Sequence, residues 1–144
     1  MSGMTTYNNP TRSSQDATDS FTLGRNTVLH LAEDQTMTTF AVDDEVWRQR
    51  ETVPWFGHGR VLSIFDYRST WTWWERHMRG EELVLVLSGS VVFHLDDGEL
   101  RTVALSPGEG ALVPRGTWHR AEITLPTRML FVTPAPAETE HRDA

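Results

Sequence analysis

Short runs in which polar and apolar residues alternate account for most of this chain. Thr27 to Leu31 and Thr36 to Val42 are rich in β-branched and aromatic residues, the composition of a half-buried pleated surface. Further short strands are expected at Arg60 to Tyr67, Thr70 to His77, Leu83 to Leu87, Val91 to Leu95, Leu100 to Leu105, Gly110 to Val113, Thr117 to Ile123 and Arg128 to Thr133. Turn formers separate them: Leu87-Ser88-Gly89, Asp96-Asp97-Gly98, Ser106-Pro107-Gly108 and Pro114-Arg115-Gly116. Only Asp43 to Glu51 suggests a turn or two of helix. Many short strands with no long helical period predict an all-β sandwich or barrel. The pattern fails at both ends. Residues 1–20 read as a disordered leader and 135–144 as a flexible tail, leaving 21–134 as a single domain.

One predicted strand carries an unusual face. With a period of two, Trp71, Trp73, Glu75 and His77 project together, and Trp74 and Arg76 project the other way. Glu82 opens the next strand, ahead of an apolar run in which an unpaired carboxylate would be costly. Glu81 faces away from it and reads as solvated. Further on, Thr117, His119, Ala121 and Ile123 share a face. If these faces turn into one barrel, two imidazoles and two carboxylates converge, and those are ligands that borderline divalent metals prefer.

Composition removes several alternatives. There is no cysteine, hence no disulfide, thiolate nucleophile or Cys-ligated metal. All 13 basic residues are arginine, so Schiff-base chemistry is excluded. A net charge of −7 with no basic stripe argues against nucleic acid or an anionic membrane and for a small organic molecule as partner. No apolar run approaches the roughly 18 residues of a membrane span. The N-terminus lacks a signal-peptide pattern, so a cytoplasmic location is expected.

The segment Trp73 to Gly89, WWERHMRGEELVLVLSG, resembles the first motif of the cupin superfamily, G-x(5)-H-x-H-x(3,4)-E-x(6)-G. His77 fills the second histidine, Glu82 the glutamate and Gly89 the closing glycine. Gly108 to His119, GEGALVPRGTWH, resembles the second motif, G-x(5)-P-x-G-x(2)-H-x(3)-N, with Gly108, Pro114, Gly116 and His119 in register. The resemblance covers roughly Arg60 to Thr133. It implies a small cupin: a jelly-roll β-barrel with a divalent metal (iron, manganese, zinc or nickel) held by Glu75, His77, Glu82 and His119. Three positions depart from the pattern: Glu75 replaces the first histidine, Ser69 the opening glycine and Ile123 the final asparagine. Two glutamates neutralise a dication, which makes it a weaker Lewis acid than a centre of three histidines and one glutamate. Alternatively His77, Glu82 and His119 form a facial triad suited to non-haem iron, and Glu75 stays free as a catalytic base.

The remaining candidates are weaker. Trp71, Trp73 and Trp55 could line a substrate pocket or simply fill the core. His58, in a glycine-flanked loop, could reach that pocket. His30, His94 and His141 read as satisfied or exposed, and Trp118, opposite in direction to His119, as packing. Phe21 to Glu51 should add edge strands, and an open edge would favour a homodimer. The expected function is a metal-dependent enzyme on a small molecule, of isomerase, cyclase or lyase type or a dioxygenase. A non-catalytic binding module, sensor or storage protein, is the alternative.

Overall fold

The computed structural model describes residues 20–144 and the backbone of Pro10–Arg12. The expected leader falls mostly outside these residues. The elements run, in chain order, β1 (Pro10–Arg12), β2 (Thr27–Leu31), β3 (Met37–Ala41), α1 (Asp44–Arg48), β4 (Arg60–Tyr67), β5 (Trp73–His77), β6 (Glu82–Ser88) and β7 (Val91–Asp96). They continue with β8 (Leu100–Leu105), β9 (Gly110–Val113), β10 (Trp118–Glu122), β11 (Thr127–Pro134) and β12 (Thr139–Asp143). Two antiparallel sheets result. One has the order β1-β3-β2-β4-β11-β6-β9, and the other β12-β5-β10-β7-β8. This is the expected all-β jelly roll, with β2 and β3 as the added strands.

Alternation along the strands decides where the core sits. In β7, Val91, Phe93 and Leu95 are buried and their neighbours are not. In β6, Glu82, Val84 and Val86 point inward likewise. These side chains meet Trp71, Ala121, Met129 and Phe131 between the two sheets. On the outer face of the smaller sheet, Trp74 and Trp118 lie among arginines, with Arg76 and Arg142 each 4.5 Å from the Trp118 ring. Trp118 therefore packs outside the barrel, as its direction on the strand requires.

A second apolar cluster forms outside the barrel. Val28, Phe40, Val46, Trp55, Phe56 and Val61 pack β2, β3 and β4 against the segment 44–57. That segment is α1, capped by the Asp43 carboxylate accepting from Val46 N–H at 2.8 Å, followed by two short 3-10 turns. Trp55 stacks on Phe40, with ring centroids 4.0 Å apart. The C-terminal residues, expected as a tail, make a 3-10 turn and then β12, which pairs along β5 from Thr139↔His77 to Asp143↔Trp73. A strand there is hard to see locally, because four of its five side chains are exposed and charged or polar, and the pairing with β5 supplies what the composition lacks.

Two motif glycines hold the turns. Gly89 has φ +83°, and a Cβ there would lie 2.5 Å from the Pro126 carbonyl oxygen. Gly116 has φ +75°, and its N–H donates to the His77 carbonyl at 2.9 Å, tying the second motif to the first.

Candidate metal centre and its cavity

Register brings the four motif residues together. Glu75 and His77 lie two apart on β5, and His119 on β10 is the direct cross-strand partner of Glu75. Glu82 arrives from the first position of β6, in the opposite sheet. One ligand atom from each of Glu75, His77, Glu82 and His119 lies within 4.8 Å of the other three.

The contacts within the cluster are unequal. Glu82 is the tight partner: its Oε2 is 3.1 Å from His77 Nε2 and its Oε1 is 3.0 Å from His119 Nε2. Glu75 Oε1 stands further off, 3.6 Å from His77 Nε2 and 3.5 Å from His119 Nε2. Despite these distances, His77 Nε2, His119 Nε2 and Glu82 Oε1 are buried without a well-directed hydrogen bond. Their polar atoms crowd together without pointing at one another. Around a cation with ligands at about 2.1 Å, adjacent ligand atoms fall roughly 3.0 Å apart in octahedral and 3.4 Å in tetrahedral geometry. The observed spacings match that range, so the donor set fits a divalent ion.

Surrounding groups orient the ligands. His119 Nδ1 donates to the Thr117 carbonyl at 3.2 Å, which turns Nε2 toward the cluster. His77 Nδ1 is 2.8 Å from Thr139 Oγ1, a contact that β12 provides. Thr133 Oγ1 donates to Glu82 Oε2 at 2.6 Å. Without a cation the cluster balances its own charge. Burial alone would lower both histidines, but the neighbouring glutamates outweigh it and hold His77 at about 9 and His119 at about 10. Burial would likewise raise the carboxyls. The imidazoles around Glu75 hold it well below the usual range, and Glu82 is lowered too.

A cavity of about 260 Å³ opens onto this cluster. Phe65, Tyr67, Trp71, Trp73 and Phe131 form its apolar wall, and Glu75, His77 and Glu82 its polar floor. Trp71 and Trp73 stack at 5.2 Å and both line it. Burial, reinforced by the charges of Glu75 and Glu82, pushes the Tyr67 phenol far up, so it stays protonated.

Residues 64–133 match the family model described as Cupin domain. They contain both motifs and the three strands β5, β6 and β10 that carry all four cluster residues. Residues 64–133 form a cupin domain. The chain is 35% identical over 66 residues to an uncharacterised protein, YdbB, of Bacillus subtilis (strain 168), a match spanning 46% of this chain and 57% of that protein. Among solved structures it is similar to a cupin-2 domain protein of Shewanella frigidimarina, at 17% identity and a TM-score of 0.46, over 52% of this chain and 70% of that one. It is also similar to a hydroquinone 1,2-dioxygenase of Sphingomonas sp. TTNP3 with 4-hydroxybenzoate bound, at 23% identity and a TM-score of 0.44, over 52% and 59% of the two chains.

Not every candidate reaches the cupin cavity. Trp55 belongs to the outer apolar cluster and is no part of the cavity wall, because the turn at 54–57 carries it onto Phe40. His58 packs edge-on to His30, whose Nε2 meets the His58 carbonyl at 2.9 Å; burial lowers the His30 pKa. His94 pairs with Glu122 at 2.7 Å. His141 is the reverse case. On β12 it stands directly opposite Glu75, its Nε2 is 3.2 Å from Glu75 Oε2, and it lines the cavity. Arg50 joins it at the mouth, with Nη2 2.8 Å from His141 Nδ1. The one available signal for His141 was its spacing: Thr139 and His141 share a face with period two. No helix of the described residues is long and apolar enough to cross a membrane.

Proposed function

We propose that this chain is a metal-dependent enzyme acting on a small organic molecule, with a divalent ion held by His77, Glu82 and His119. The observation that carries the reading is the set of buried Nε2 and Oε1 atoms that crowd to about 3 Å without hydrogen bonds, facing an aromatic cavity. A divalent ion bound there supplies Lewis acidity toward a carbonyl or carboxylate oxygen. Glu75, about half an ångström more distant than Glu82, serves as the looser fourth group and as the base. Its Oε2 accepts from His141 and its Oε1 faces the centre, placed to take a proton from a bound substrate. Isomerase, cyclase or lyase chemistry fits such a base beside a Lewis acid, and the facial triad keeps a dioxygenase reaction open. Trp71 and Trp73 hold the apolar part of the substrate and keep water out.

A second reading has its own observation: the metal-free cluster is already neutral, with two imidazolium and two carboxylate charges. That state suits a binding module without turnover. Metal content of the purified protein by plasma mass spectrometry separates the two. Near-stoichiometric iron, manganese, nickel or zinc is expected, and no uptake even after reconstitution would favour the binding module. Glu75→Gln should keep its metal and lose turnover; loss of metal instead would make Glu75 a ligand.

A further inference from the structure

Outside the four-residue cluster, the cavity-lining side-chain atoms that are buried without a partner are of one kind. Trp47 Nε1, Arg50 Nε and Trp71 Nε1 are buried, have no hydrogen-bond partner and belong to side chains that line the cavity. Each is a donor that cannot accept. Arg50 spends one nitrogen on the Trp47 carbonyl at 3.1 Å and another on His141, and among the described residues it makes no ion pair with a carboxylate. Arg50 thus brings one positive charge to the cavity mouth with no counter-ion among the described residues.

We infer that the cavity takes a monoanionic, carboxylate-bearing small molecule with an apolar body, its carboxylate held at the mouth by Arg50 and its body against Trp71 and Trp73. A carboxylate head at the mouth pairs with the orphaned donors of Arg50 and Trp47, which otherwise cost what any buried unpaired polar group costs. The guanidinium fork matches a carboxylate in shape as well as charge. The cavity volume is at the small end for ligand sites, which limits the body to about one ring. This inference rests on the same cavity as the proposed enzyme, but it does not require the metal.

The test is calorimetric titration of phenylacetate and of its neutral isostere phenylacetamide, on metal-loaded and metal-stripped protein. Phenylacetate should bind about tenfold or more tighter in both forms, as expected for one charge-assisted contact. Arg50→Gln should abolish that preference, Arg50→Lys should keep part of it, and Trp47→Phe, which removes the indole N–H together with part of the ring, should weaken phenylacetate severalfold. Equal affinity for acid and amide, or no binding of either, overturns the inference. So does a preference that survives Arg50→Gln but vanishes on stripping, since the carboxylate would then sit on the metal. A protein that takes up no metal yet keeps an Arg50-dependent preference would sink the metalloenzyme reading alone.

Discussion

The floor of the cavity and its mouth are built in different ways. On the floor, each ligand comes from a β-strand inside the barrel, and β5, β6 and β10 are packed on a continuous apolar core. Each ligand is also buttressed by a neighbour: Thr139 for His77, Thr133 for Glu82, the Thr117 carbonyl for His119. At the mouth, Trp47 lies in the last turn of α1, Arg50 opens a 3-10 turn and His141 lies on the edge strand β12. These elements reach the barrel from 44–57 and from 136–143, on either side of the domain. Under the proposed function the peripheral segments would choose the ligand that the floor meets, although β12 is tied to the floor as well through Thr139 and its pairing with β5.

The largest effect that would sharpen this contrast is expected on the floor. Glu82→Ala should abolish metal binding and cost the metal-free protein about 3–5 kcal/mol, since it leaves two buried imidazoles without their tight partner. Metal titration and urea denaturation measure both. A variant of full stability that still binds metal would mean that the floor is not the organised part of the site.

The pH response should come next. His77 and His119 have folded-state values of about 9 and 10, above their ordinary 6.5. Their contribution to the stability of the metal-free protein is therefore complete below pH 6.5 and lost as pH rises through 9 to 10. Glu75 and Glu82 are depressed, so their contribution is present above about pH 4.5 and disappears as pH falls through their lowered values. A metal must displace the imidazolium protons. Its affinity should accordingly climb with pH up to about 9 to 10, and binding at neutral pH should release both protons. Calorimetry in buffers of different ionisation enthalpy counts them, and a pH-independent affinity would contradict the assignment.

The smallest effect belongs to the mouth. His141→Asn should lower metal affinity only slightly, by loosening Glu75 as the outlying fourth group, with the fold and the denaturation midpoint unchanged. A metal affinity identical to wild type would confine His141 to ligand binding and make the separation of floor and mouth complete. A large loss of stability would show the opposite, that β12 is part of the barrel's support.

How much of this was legible in the sequence follows the same division. His77, Glu82 and His119 were visible because strand alternation places them inward and because two spaced motifs put them in register. Trp71 and Trp73 followed from the same face. Trp55 did not, since a 3-10 turn has no period from which to read a direction, and the turn at 54–57 packs it on Phe40 instead. Arg50 and His141 carried no motif at all. Their place depends on the second apolar cluster anchoring 44–57 and on the pairing of β12 with β5, both contacts between residues far apart in the chain.

The sequence by itself determined the barrel, its turns and the inward set of two imidazoles and two carboxylates, because these depend on local period and on spacing within β-strands. Only the tertiary structure decided that Glu82 lies closer than Glu75, that His141 and Arg50 close the site, and that the cavity's unpaired buried groups outside the four-residue cluster are donors. Those facts depend on long-range approach, which no local pattern encodes.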